Sequence, residues 1–228
     1  MKPMKNIINI VGTGTGIGKT YTCCRLIEYL IAEGKVAYAI KPIASGIIST
    51  EYGLINEDSY KLYMANQQHC NFKQITPFLL NTPIAPHIAA YLEHATLEAK
   101  QIATTTQDIV STLNCDFVLI EGIGGVMVPL NNKETYIDIL TQLAYPLILV
   151  ISIQLGCLNH GLLTAMCLEY NHLKCVGWIA NFIEPDMPLA TANVEFLKDK
   201  LNMPLLATIT YKQKLHPTKH FASIFLNQ

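Results

Sequence analysis

Charge is the first thing this sequence has little of. Asp, Glu, Lys and Arg make up only 14% of its 228 residues, and they nearly cancel, leaving a net charge of −1. No basic stripe of the kind that neutralises a phosphate backbone follows from that balance, so nucleic acid is not an expected partner. No stretch reads as a membrane span either. Residues 143–158 come nearest, but Pro146, Gln154, Gly156 and Asn159 suit a buried strand and a loop better. The N-terminal lysines meet Gly12 too soon for a signal-peptide core, and the expected location is cytoplasmic. The seven cysteines are odd in number and contain no C-x-x-C pair. Most lie in apolar runs, which argues against a disulfide framework and for buried thiols in a reducing compartment. The seven histidines form no ligand-spaced cluster, so zinc is not expected.

Half the residues are hydrophobic, enough to fill the core of one medium domain spanning 1–228. So little charge on a soluble chain suggests that a second copy covers some surface. The apolar residues gather in short continuous runs at 7–11, 36–40, 117–120, 147–151, 176–180 and 205–209. Runs without alternation are strands covered on both faces. Helix-like stretches separate them at 21–32, 59–65, 84–92, 97–113, 136–143, 161–170 and 190–200. That order predicts an α/β fold, a mostly parallel sheet with helices on both faces in three layers. Residues 43–57 and 70–83 read as loops, the second with room for a short element, and the tail from Lys212 carries no clear pattern.

The first strand runs into Gly12-Thr13-Gly14-Thr15-Gly16-Ile17-Gly18-Lys19-Thr20, and a helix-like repeat follows. Strand, glycine-rich loop, Lys-Thr, helix is the order of a P-loop NTPase-like phosphate cradle. Backbone N–H groups wrap the phosphates, Lys19 meets the terminal ones, and the Thr20 hydroxyl holds Mg2+. The spacing is unusual, with five residues between Gly12 and Gly18 where the common loop has four. The dinucleotide pattern G-x-G-x-x-G fails as well, because Ile17 and Lys19 stand where its third glycine is needed.

In a parallel sheet the residues just after each strand share one rim. Five stations fall there: the loop, Lys41, Glu121, residues 154–159 and Asn181. Lys41 precedes Pro42, which favours an extended backbone, so it reads as a second cation on the rim or as a solvated lysine. Ser45 sits in the turn that follows. Glu121 ends a buried strand, where either a metal or an ion pair must compensate its charge. Gly122 and Gly124 beside it admit a ligand to the backbone. Asp58 is either a Mg2+ carboxylate or the cap of the next helix, with Glu57 as its neighbour and rival. Asn181 either reads a base edge or caps a turn. Residues 156–160 open a helix whose free N–H groups suit a carboxylate.

GTGTGIGKT, KPIASG, EGIGG with the nearby VPL, LGCLNHGLLTA and GWIAN, in this order and at these intervals, closely resemble the dethiobiotin synthetase family. The likeness runs from Met4 to about Ile209. It implies a homodimeric ATP- and Mg2+-dependent enzyme that joins CO2 to 7,8-diaminononanoate through a carbamate and closes a cyclic urea. By match, Gly14, Thr15, Gly16, Ile17, Gly18, Lys19 and Thr20 line the nucleotide with Glu121, Gly122, Gly124 and Asn181. Lys19 and Lys41 steady the carbamate and the moving phosphoryl group, and Thr20, Asp58 and Glu121 take Mg2+. Thr15, Lys41 and Ser45 meet the diamine, while Leu155, Gly156, Cys157 and Asn159 hold the substrate carboxylate across the subunit interface. Two departures stand out. The family loop commonly reads GTDTEVGKT, with acids where this chain has Gly14 and Gly16, and Ala207-Thr208-Ile209-Thr210 replaces the usual G-x-[IL]-P strand exit.

Overall fold

A computed structural model describes residues 5–225; the outermost residues of the expected 1–228 domain lie outside the described part. The chain begins with β1 (Asn6–Gly12), α1 (Lys19–Ala32), β2 (Ala37–Ile40), β3 (Ile43–Ser45), β4 (Ile48–Thr50) and β5 (Gly53–Ile55). It continues through α2 (Glu57–Ala65), α3 (Phe72–Ile75), β6 (Phe78–Leu80), α4 (Pro86–Leu92) and α5 (Ala99–Thr112). Then come β7 (Phe117–Glu121), α6 (Tyr136–Leu143), β8 (Leu147–Ser152), α7 (Cys157–Tyr170) and β9 (Cys175–Asn181). The last elements are α8 (Ala190–Lys200), β10 (Leu205–Ile209), β11 (Leu215–Pro217) and α9 (Phe221–Phe225).

Seven strands form one sheet in the order β11-β10-β9-β8-β1-β7-β2. All neighbours run parallel except β11, which returns antiparallel to β10. Parallel neighbours need crossovers, and the helices supply them. Each expected run of apolar residues is a strand of this sheet, and β7 and β8 are buried along their whole length, as strands covered on both faces must be. At one edge the Asn66 side chain stands in for a missing strand: it accepts from Ala39 N–H and donates to Ala39 C=O, both at 2.8 Å. That pairing closes an edge that would otherwise offer free backbone groups.

Residues 43–57 are not a plain loop. They hold β3, which pairs parallel with β6, and the antiparallel hairpin of β4 and β5. Three-residue strands are too short to show a period, which is why the sequence reads there as loop. The tail is also structured. Phe221 and Phe225 stack at 4.3 Å between ring centroids and reach Tyr29 and Phe117. Both phenylalanines are buried, and burial of such a ring stabilises by about 1.5–3 kcal/mol.

Candidate active site

Gly18 ends the loop in the left-handed region, φ +86°, and caps α1, so that Lys19 and Thr20 open the helix. A Cβ at Gly18 would lie 2.1 Å from Asn181 Nδ2. That close approach carries a bond, because Asn181 Nδ2 donates to Ile17 C=O at 2.8 Å. Asn181, at the end of β9, thus braces the loop from behind; it is buried and does not line the cleft described below.

Lys19 is buried and reaches back over the loop. Its ammonium donates to Gly14 C=O and Gly124 C=O, each at 2.7 Å, tying the turn after β1 to the turn after β7. Burial pulls its pKa down to about 8 against the pull of Glu121, with Lys41 adding to the fall. Lys41, just after β2, donates to Asp58 Oδ2 at 2.5 Å and to Glu121 Oε1 at 2.8 Å. Burial works against its charge, but the two carboxylates outweigh it and leave the pKa raised. The Thr20 hydroxyl donates to the same Glu121 oxygen at 2.7 Å. Glu121 is 1% exposed, and its second oxygen, Oε2, has no partner. Two lysines, two carboxylates and a hydroxyl therefore converge from β1–α1, β2, α2 and β7.

Of the two readings open for Glu121, the ion pair is present, and the free Oε2 leaves one acceptor still available. The alternatives at Asp58 resolve differently. The cap of α2 is Asn56, whose Oδ1 accepts from Asp58 N–H at 3.0 Å and Ser59 N–H at 3.3 Å. Asp58 faces Lys41, which holds its carboxyl below the ordinary range despite partial burial. Glu57 points to solvent and pairs with Lys61 one turn on.

These groups line a cleft of about 1050 Å³ together with Thr15, Gly16, Gly18 and Ser45. Ile17 is buried beneath the loop, and Gly122 lies against the ring of Tyr136, too close for a side chain of its own. The start of α7 is elsewhere. Gly156 caps that helix at φ +90°, Cys157 is buried, Asn159 is exposed and Leu155 is 94% exposed, and none of them lines the cleft. The cysteines of the described residues are all free. Cys24 lines the cleft, but burial pushes its thiol up to about 12, so it stays protonated.

Two residues of the site escape a reading by motif. Asn56 had a local signal, an asparagine directly before an acidic first turn. Tyr136 had none: its fully buried phenol, raised by burial and by Glu121, packs on Gly122 only through the fold.

Comparisons with known proteins bear on the family and the fold. A family model described as an AAA domain matches residues 6–219. An ATP-dependent dethiobiotin synthetase BioD of Legionella pneumophila (strain Paris) is 38% identical over 206 residues, 90% of this chain and 94% of the relative. One of Aromatoleum aromaticum is 34% identical over 217 residues, 95% and 96% of the two chains. Among solved structures, the signal recognition particle receptor FtsY of Elizabethkingia anophelis in complex with GDP superposes with a TM-score of 0.59 at 15% identity. That match covers all of this chain and 65% of the receptor. The septum site-determining protein MinD of Pyrococcus horikoshii with Mg-ADP gives a TM-score of 0.54 at 20% identity, covering 91% and 82%. At such identities the likeness is one of fold, a P-loop NTPase-like α/β fold.

Proposed function

This chain belongs to the ATP-dependent dethiobiotin synthetases, and on that premise we propose that it joins CO2 to 7,8-diaminononanoate and closes the cyclic urea of dethiobiotin, converting ATP to ADP and phosphate. It is an ATP-dependent ligase, with ATP and Mg2+ as its requirements. One amine of the substrate adds to CO2 and loses a proton, giving a carbamate. A carbamate oxygen attacks the γ-phosphorus, ADP leaves, and a carbamic-phosphoric anhydride results. The second amine then attacks the anhydride carbon and phosphate departs.

The observation that carries this reading is Lys41, a buried cation held between Asp58 and Glu121 beside the phosphate loop. A carbamate is an anion made from a neutral amine, and a fixed ammonium next to it stabilises charge as it develops. Lys19 exchanges its two carbonyl partners for the terminal phosphate and steadies the moving phosphoryl group. The loop from Gly14 to Gly18 wraps the phosphates with its N–H groups, Gly124 on the cleft wall admits the nucleotide, and Asn181 braces the loop from behind through Ile17. Thr15 and Ser45 meet the diamine. The acceptors fit Mg2+: the Thr20 hydroxyl, the Asp58 carboxylate and Glu121 with its unpartnered Oε2 are hard oxygen donors. Mg2+ bound there neutralises triphosphate charge.

The chain works as one three-layer domain in a cytoplasmic homodimer. Support for the dimer comes from α7, where Leu163, Met166 and Tyr170 recur at helical spacing, and from Leu155 just before it; all four are exposed, between 56% and 94%. Such a stripe suits a second copy, whose residues 155–159 then hold the substrate carboxylate. The test is phosphate release by purified protein given ATP, Mg2+, bicarbonate and the diamine. Release that depends on the diamine is expected; equal release without it would defeat the reading.

A further inference from the structure

Asn56 makes four hydrogen bonds with one side chain. Its oxygen accepts from the backbone N–H groups of Asp58 and Ser59, capping α2. Its amide donates to Ser45 C=O at 3.1 Å and to Gly46 C=O at 2.8 Å. The residue is buried, yet it lines the cleft between the two groups it joins. An N-cap needs only the oxygen, and serine or aspartate would serve it as well. The amide half is therefore surplus to the helix and acts on the turn after β3.

We propose that Asn56 is a positioning residue that locks the Ser45 turn to the start of α2, setting the distance between the diamine contact at Ser45 and the Lys41–Asp58 pair. The inference rests on the reading of Ser45 as a diamine-site residue. The two ends of the lock belong to different elements: Ser45 ends β3, while Asp58 lies in the first turn of α2. The hairpin of β4 and β5 between them is exposed over most of its length; its tip is held by Tyr52 against the rings of Tyr60, Tyr63 and Phe72, which leaves the neck to be tied by Asn56. Asn56 spans the neck of this hairpin and shortens the connection to one side chain. Lys41 is already held by two carboxylates, and Asn56 makes no bond to the phosphate loop, so its effect falls on the diamine and not on the nucleotide.

Two variants separate the halves of the side chain. Asn56→Ser keeps a capping oxygen and loses both donors without adding charge. Asn56→Asp keeps the cap and sets a carboxylate against two carbonyls. Both are expected to fold, with the denaturation midpoint lowered in Asn56→Ser and lowered further in Asn56→Asp, where a buried carboxylate meets two carbonyls. The KM for the diamine should rise about tenfold in Asn56→Ser, the loss expected when two neutral hydrogen bonds go, and further in Asn56→Asp. The KM for ATP should stay within about twofold, a split that a general loss of structure would not produce. An unchanged diamine KM in Asn56→Ser, or equal rises for both substrates, would overturn the inference. Parent protein that shows no diamine-dependent turnover would instead overturn the proposed function, so the two failures are distinguishable.

Discussion

The rim built on the phosphate loop and the start of α7 follow the ends of neighbouring strands, β1 and β8, yet they are finished in opposite ways. On the loop side nearly every polar group has found a partner inside the chain: Lys19 on two carbonyls, Lys41 on two carboxylates, Thr20 on Glu121, Asn181 on Ile17. On the α7 side Leu155, Met166 and Tyr170 stand in solvent. Buried charge is costly unless paired, so the first region must be assembled within one chain. Apolar side chains left exposed along one helix face are the opposite case, a surface that gains from a cover the chain does not supply. The proposed function accordingly assigns the nucleotide half of the reaction to a single chain and the carboxylate half to a pair.

The sharpest way to break that division is Lys41→Ala. Removing the cation is expected to lower turnover by about 10²–10³-fold, the range for loss of one preorganised charge contact, while nucleotide binding measured by calorimetry persists. Loss of nucleotide binding with diamine binding intact would contradict the role given to Lys41. Next in size, Met166→Asp places a charge on the α7 stripe, and in a twofold interface it enters twice. Association is expected to weaken about a hundredfold in sedimentation measurements, with the diamine KM rising and nucleotide affinity unmoved. An unchanged oligomeric state would remove the stripe from the interface. The smallest effect concerns the loop glycines that replace the family's acids. Gly16 holds φ +75°, whereas Gly14 has a negative-φ backbone and open space around its absent Cβ. Gly16→Ala should cost about 1–2 kcal/mol in denaturant unfolding. Gly14→Asp should be close to neutral in the same measurement, and equal losses at both would show that backbone conformation does not separate them.

How much of this was legible beforehand depends on the length over which a signal is written. The six strands of the parallel sheet are runs of four to seven residues, and continuous apolar character marked each one. The hairpin of β4 and β5 and the pair of β3 with β6 are three residues long per strand, and no period survives at that length. Tail helix α9 has five residues and is held by two phenylalanine rings whose partners lie nearly two hundred and about one hundred residues away, a pairing no local pattern contains. In the site, the order of loop, Lys41 and Glu121 was readable because the first two follow strands and Glu121 ends one. That Lys41 bridges Asp58 and Glu121, and that Lys19 ties Gly14 to Gly124, depends on β2, β7 and β1 lying side by side, which the order of the strands along the chain does not disclose.

The central claim is that a carbamate oxygen attacks the phosphoryl group at this rim, and oxygen transfer tests it most directly. With ¹⁸O-labelled bicarbonate, freshly equilibrated CO2 and saturating diamine, ring closure breaks the bond between the former carbamate carbon and the oxygen attached to phosphorus. The phosphate released should carry one labelled oxygen, as read by mass spectrometry. Unlabelled phosphate formed alongside labelled dethiobiotin would contradict the account.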